Sequence, residues 1–213
     1  IPFLVPHFTY RELHLQHHSK KNYGTKNDIE YDYFYGRKKH IILYFLKNAI
    51  LPFLIIYRYA ILSLTLLIPG RLRDLVETKA SCMGIKLVFT RNKVKNQTEK
   101  KYWFLEETLC AIHLWTMVLL ISKSAIDLSI ILQWAMTIFA VLTLNTYRFL
   151  GATHLYKNGE EQKTFKEHIL DSVNIEDNSF LTKIIAPLGQ DKHALHHIVP
   201  NVPGLLLKDL HHD

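Results

Sequence analysis

Two apolar runs, residues 109–121 and 128–144, are separated only by the six residues 122–127. A helix needs about 20 residues, counting its flanks, to cross roughly 30 Å of hydrocarbon. Each run comes close to that length, and so short a link forces the two helices to lie antiparallel. The sequence therefore predicts a transmembrane helical hairpin. Cations gather before the first run, at Arg91, Lys93, Lys95, Lys100 and Lys101, and after the second, at Arg148 and Lys157, whereas the link holds only Lys123. Positive charge marks the cytosolic side of a bilayer, so both outer ends of the hairpin are placed there. The formal charge of +7 has the same source, which argues against a nucleic-acid partner. Hydrophobic residues make up 48% of the chain while mean hydropathy is only +0.02, as expected when very apolar segments alternate with very polar ones.

A third apolar stretch, residues 41–69, is interrupted by Lys47, Asn48, Pro52 and Arg58. It reads as a bent helix lying in the membrane interface, with Lys47 and Arg58 snorkelling to headgroups; a full crossing is the alternative. Within the hairpin, His113, Gln133 and Asn145 read as hydrogen-bonded polar residues facing a neighbouring helix. Trp103, Trp115 and Trp134 read as lipid anchors or packing, and Cys82 and Cys110 as free thiols. The fold class is all-α. It comprises a multi-helix integral membrane protein with a transmembrane hairpin, an interfacial helix and a cytosolic, histidine-rich helical cap. The first methionine is Met83, so the stretch reads as beginning in mid-protein.

The cap carries the chemistry. His193, His196 and His197 stand at i, i+3 and i+4, one face of a helix, and His14, His17 and His18 repeat that spacing near the other end. Histidine has weak helix propensity and adds little apolar burial, so two such triplets point to a shared metal site. The earlier triplet is expected on a helix over residues 11–20. His154, just past the second hairpin helix, is placed to join them on the cytosolic face. Seven imidazoles exceed the needs of one tetrahedral zinc and argue for two metal centres. Imidazole alone does not choose among zinc, copper, iron and nickel. Asp28, in the turn-rich stretch 22–28, is placed to fix the tautomer of a ligating imidazole, and Asp171 and Asn174 are further supporting candidates. Glu30 and Asp32 read as solvated, His168 as a surface residue, and His211 and His212 as without a role.

These motifs resemble the membrane fatty acid desaturases, whose separated histidine boxes surround a non-haem di-iron centre. His14-Leu15-Gln16-His17-His18 is similar to the second box of that family, and Gly24-Thr25 with Asp28, Glu30 and Tyr31 to the segment that trails it. His154 matches the extra histidine after the last transmembrane helix. His193-Ala194-Leu195-His196-His197, with Pro200 and Pro203, matches the third box and its tail, and residues 170–174 also resemble family sequence. Gln190-Asp191-Lys192 is more polar than usual, and Pro203-Gly204 stands where Pro-Tyr is common. The first box has no counterpart, so residues 1–213 are expected to be a partial desaturase domain without its first transmembrane hairpin, inactive alone.

The resemblance implies two iron ions held by His14, His17, His18, His154, His193, His196 and His197. It also implies a lipid acyl substrate into which a double bond is introduced with dioxygen. No Gly-x-Gly-x-x-Gly fingerprint and no clustered cysteines occur, so no bound flavin or nicotinamide is expected. Electrons are expected from a separate ferredoxin or b-type cytochrome. The alternatives are a related di-iron hydroxylase or ketolase acting on carotenoids, sterols or alkanes, and a non-enzymatic membrane metal-binding or transport protein.

Overall fold

A computed structural model describes residues 3–25, 28, 38–68, 70–83, 85, 89–155, 162–177, 179–187 and 189–210. Glu30, Tyr31, Asp32, Lys157, His211 and His212 lie outside the described residues. The predicted hairpin is present as α4 (Gln97–Ser122) and α5 (Ser129–Ala152), joined through the turn anticipated at Lys123. Asn96 starts α4, its side chain accepting from the backbone N–H groups of Thr98 (2.9 Å) and Glu99 (3.2 Å). Asp127 accepts from Ser129 N–H at 2.7 Å at the start of α5. The remaining helices are α1 (His7–His17), α2 (Lys38–Ala60) with a 3-10 continuation at Leu62–Leu67, α3 (Arg71–Lys79), α6 (Phe165–Asp171), α7 (Phe180–Ile185), α8 (His193–Ile198) and α9 (Leu207–Leu210). Three of the described helical stretches are long and apolar enough to cross a membrane: Lys38–Leu67, Gln97–Ser122 and Ser129–Gly151.

The chain divides into two compact units, Ile1–Glu12 with Lys47–Ala140, and Leu13–Leu46 with Val141–Asp213. In the first, Leu51, Ile55 and Tyr59 of α2 are buried, as are Val76 of α3 and Trp103, Cys110 and Leu114 of α4. Phe8 packs on Trp103 with ring centroids 4.6 Å apart, and the Arg91 guanidinium lies 4.4 Å from the same ring. Trp103 is therefore packing, while Trp115 is exposed. Both cysteines are free and buried.

The snorkelling expected of Arg58 does not occur. Its side chain is 1% exposed and donates to Glu107 Oε1 at 2.7 Å and to the Ala80 carbonyl at 3.0 Å. Arg73 completes the group with two bonds to Glu107, at 2.9 and 2.8 Å, and one to Glu77 at 2.8 Å. Lys47 likewise bonds a carbonyl, that of Ile85, at 2.8 Å. A cation in an apolar segment needs either water or a carboxylate, and Glu107, ten residues into α4, supplies the latter. Gln133 faces outward on α5 rather than toward a helix neighbour, and His113 and Asn145 are half-buried.

The second unit has short helices tied by backbone bonds. Val173 N–H donates to Thr153 (2.9 Å), Leu155 N–H to Asp171 (2.8 Å) and Ile175 N–H to Asp191 (2.7 Å). Two isolated antiparallel bridges, His154 with Ser172 and Asn174 with Lys192, lie in the same stretch. The segment after α6 therefore runs between the His154 segment and the start of α8, and it fixes where each of them presents its histidines.

Candidate metal centre

All seven histidines singled out by spacing meet within the second unit, in two groups. His17, His154, His193 and His197 form one, and His14, His18 and His196 the other; within each, the ligand atoms lie within 4.8 Å of one another. The expected helix over 11–20 is seated earlier, at His7–His17. His18 still donates its N–H to the His14 carbonyl at 3.0 Å, so all three imidazoles keep the helical spacing. On α8 the same spacing sends His193 and His197 to the group of four and His196 to the group of three.

The nitrogens that converge are all Nε2. His17 and His154 are 3.2 Å apart, His154 and His193 3.2 Å, and His193 and His197 2.9 Å. In the other group His14 stands 3.1 Å from both His196 and His18. Their far nitrogens decide where the protons sit. His17 Nδ1 lies 3.0 Å from each oxygen of Asp28, a fully buried carboxylate that only accepts, so Nδ1 carries the hydrogen. Tyr23 gives its one hydroxyl hydrogen to Asp171 at 3.1 Å, so its oxygen accepts from His154 Nδ1 at 3.0 Å. With both rings neutral, the two Nε2 atoms present lone pairs to each other at 3.2 Å. Two facing acceptors repel unless a cation lies between or beside them, so the donor set fits a metal ion that takes neutral imidazole.

The electrostatics agree. Burial, followed by the neighbouring imidazoles His196 and His17, pushes His14 down to about 4; burial and then His14 push His18 down to about 2. Burial, first, and the surrounding histidines hold His154, His193 and His197 well below the usual imidazole range, and His196 is lowered for the same reason. At neutral pH these rings are uncharged, the form that ligates.

The supporting residues fall into place unequally. Asp28 bonds His17 as expected, and also takes the Gly24 N–H at 3.1 Å. Asp171 acts through Tyr23, a residue that had been read only as part of a loop. Among the described residues, Asn174 makes no hydrogen bond to an imidazole. Its side-chain oxygen accepts from the N–H groups of Ala194 (2.8 Å) and Leu195 (3.4 Å), capping α8 from outside the helix. His168 is a correction: it is 3% exposed rather than on the surface, its Nε2 lies 2.6 Å from His197 Nδ1, and its ring stacks on Tyr23 with centroids 3.3 Å apart. Its spacing from Asp171, i and i+3 on a short helix, is the one local signal that could have brought it inward.

Against known proteins, the family described as fatty acid desaturase matches residues 1–213. The chain is 32% identical over 206 residues to a ceramide hydroxylase of Caulobacter vibrioides (strain NA1000 / CB15N). That alignment covers 95% of this chain and 57% of the relative, so the chain spans little more than half of that protein's length. No solved structure matches it significantly.

Proposed function

The chain belongs to the fatty acid desaturase family, a family of membrane-bound non-haem di-iron oxidoreductases, and on that premise we propose that it oxidises an unactivated carbon–hydrogen bond in the acyl part of a membrane lipid. The observation that carries this reading is the pair of imidazole groups, four and three strong, whose Nε2 atoms converge. His17, His154, His193 and His197 would hold one iron, and His14, His18 and His196 would contribute to the other. A pair of ferrous ions so held supplies two-electron activation of dioxygen.

The chain's own residues do the rest. Asp28 and the Tyr23–Asp171 pair keep the Nδ1 hydrogens of His17 and His154 pointed outward, so that Nε2 faces the metal. The burial of His17, His154 and His197 excludes water from the group of four. The exposed apolar faces of α2, α4 and α5 suit a lipid environment from which an acyl chain would arrive.

Two outcomes are open. Hydroxylation consumes R–H, dioxygen, two electrons and two protons, and yields R–OH and one water. Desaturation removes two hydrogens from adjacent carbons with the same inputs and yields two waters. The ceramide hydroxylase relative favours hydroxylation of a sphingolipid-type acyl chain, and the family description keeps desaturation as the second reading. The electrons would come from a ferredoxin or b-type cytochrome, for which the chain's excess of positive charge favours an acidic partner. The positive-inside pattern supports a centre on the cytoplasmic face.

The test is lipid mass spectrometry of cells making the full-length protein under oxygen-18 gas. The expected result is a lipid with one labelled oxygen added, lost in His193→Ala. A product lacking two hydrogens and carrying no label would select desaturation. Zinc alone in the purified protein, with no oxygen consumed, would replace the enzymatic reading with a metal-binding one.

A further inference from the structure

Three histidines of the group of four have described partners on their far nitrogens, and the partners differ. His17 has a carboxylate, Asp28; His154 has a phenol, Tyr23, backed by a carboxylate; His197 has another imidazole, His168. His168 is not placed there by chance of a mobile side chain. It sits on α6, whose start is fixed by reciprocal bonds between Thr164 and Glu167, at 3.3 Å from the Glu167 N–H and 2.8 Å from the Thr164 N–H. Its ring lies flat on Tyr23, and the Ser172 hydroxyl donates to its carbonyl at 3.0 Å. The buried contact with His197 Nδ1 is short, 2.6 Å, and His197 Nε2 lies 2.9 Å from His193 Nε2.

One of the two rings must donate across the 2.6 Å contact. If His168 donated, His197 would carry its own hydrogen on Nε2, pointing into the group of four and cancelling a lone pair there. If His197 donates, its Nε2 is free to ligate. We propose that His168 is a positioning residue for His197: its Nε2 accepts the His197 Nδ1 hydrogen, fixing the tautomer and ring plane that present His197 Nε2 to the metal. This rests on the metal-centre reading above. It adds a consequence that the carboxylate-backed His17 does not share. An imidazole is a weaker acceptor than a carboxylate and carries no charge, so His197 donates less electron density to its metal than His17 does. Within the group of four, His17 and His197 are therefore electronically unequal, with the weaker donor of that pair on the α6 side.

The experiment compares ferrous iron binding and reduction potential in the full-length protein and three variants, purified in detergent and checked for native helix content. His168→Leu removes the acceptor and is expected to lower iron affinity ten- to a hundredfold. His168→Gln places an amide oxygen near the lost Nε2 and is expected to restore most of that loss. His168→Glu substitutes a charged acceptor and is expected to bind iron while shifting the potential to more negative values. Iron binding in His168→Leu equal to that of the parent protein overturns the proposal. So does a His168→Gln variant as defective as His168→Leu, since the ring would then matter only for packing. If the parent protein itself binds no iron, the metal-centre reading fails first and takes this inference with it.

Discussion

Both units of the chain take polar groups out of water, but they do so in opposite ways. In the first, Arg58 and Arg73 close on Glu107, and three bonds of 2.7–2.9 Å satisfy that carboxylate from two sides. Donor meets acceptor, and the carboxylate is satisfied by the two guanidinium groups, although Arg58 Nη2 is buried without a hydrogen-bond partner among the described residues. In the second, like groups converge: the Nε2 atoms of His17 and His154 face each other at 3.2 Å, and burial, first, holds His154 well below the usual imidazole range. A buried cluster of opposite charges is matched within the chain; converging imidazole nitrogens suit a cation.

The contrast can be broken most sharply at the ligands. His154→Ala or His197→Ala removes a converging nitrogen from the group of four. Each is expected to abolish product formation, by lipid mass spectrometry, while leaving the protein folded in membranes, because no counter-charge is stranded. The reverse is expected at Glu107. Its replacement by Ala leaves two guanidinium groups without their shared carboxylate, at a cost of about 3–5 kcal/mol in unfolding free energy. Chemical denaturation would register this, and iron bound per folded molecule should stay unchanged; lost iron with unchanged stability would erase the distinction. Asp28→Asn is a smaller change. It keeps the shape beside His17 but weakens the acceptor, so iron affinity should fall roughly ten- to a hundredfold in a chelator competition assay.

The smallest effect is that of pH on the metal-free protein. His14 and His168 are pushed from 6.5 down to about 4, first by burial. Between those values the unfolded chain takes up protons that the folded chain refuses. Stability therefore falls as pH drops from 6.5 toward 4, and it keeps falling below, because His18, pushed down to about 2, and the still lower His154 and His193 refuse protons there too. Thermal melts of metal-free protein across that window should show it, and a flat profile would mean that the imidazoles are not shielded as described.

The hairpin and the histidine groups were legible in the sequence because both are local patterns: an apolar run announces a helix, and i, i+3, i+4 spacing announces a shared face. Asp28 was legible for a related reason, since it lies one turn-rich loop from the histidine it serves. Arg58 was misread because its partner is 49 residues away, and nothing near a cation in an apolar run says whether it will reach a headgroup or a carboxylate. His168 failed the same way. A single histidine in a polar stretch looks solvated until the fold brings Tyr23 and His197 over it. Asn174 was placed near the right element, but its oxygen serves the backbone of α8 rather than a ring.

Gly189 has a positive φ of 84°, and a methyl group there would fall 1.8 Å from the carbonyl oxygen of Gly204. The chain thus enters and leaves the α8 region through a single crossing, like a noose drawn closed at its knot, with three imidazoles inside the loop. Gly204, itself without a side chain, forms the other side of that crossing. Gly189→Ala must force the knot open, and because α8 is only six residues long it should tilt His193, His196 and His197 together. Iron would then be lost from both groups at once, a signature that no single-ligand replacement can imitate.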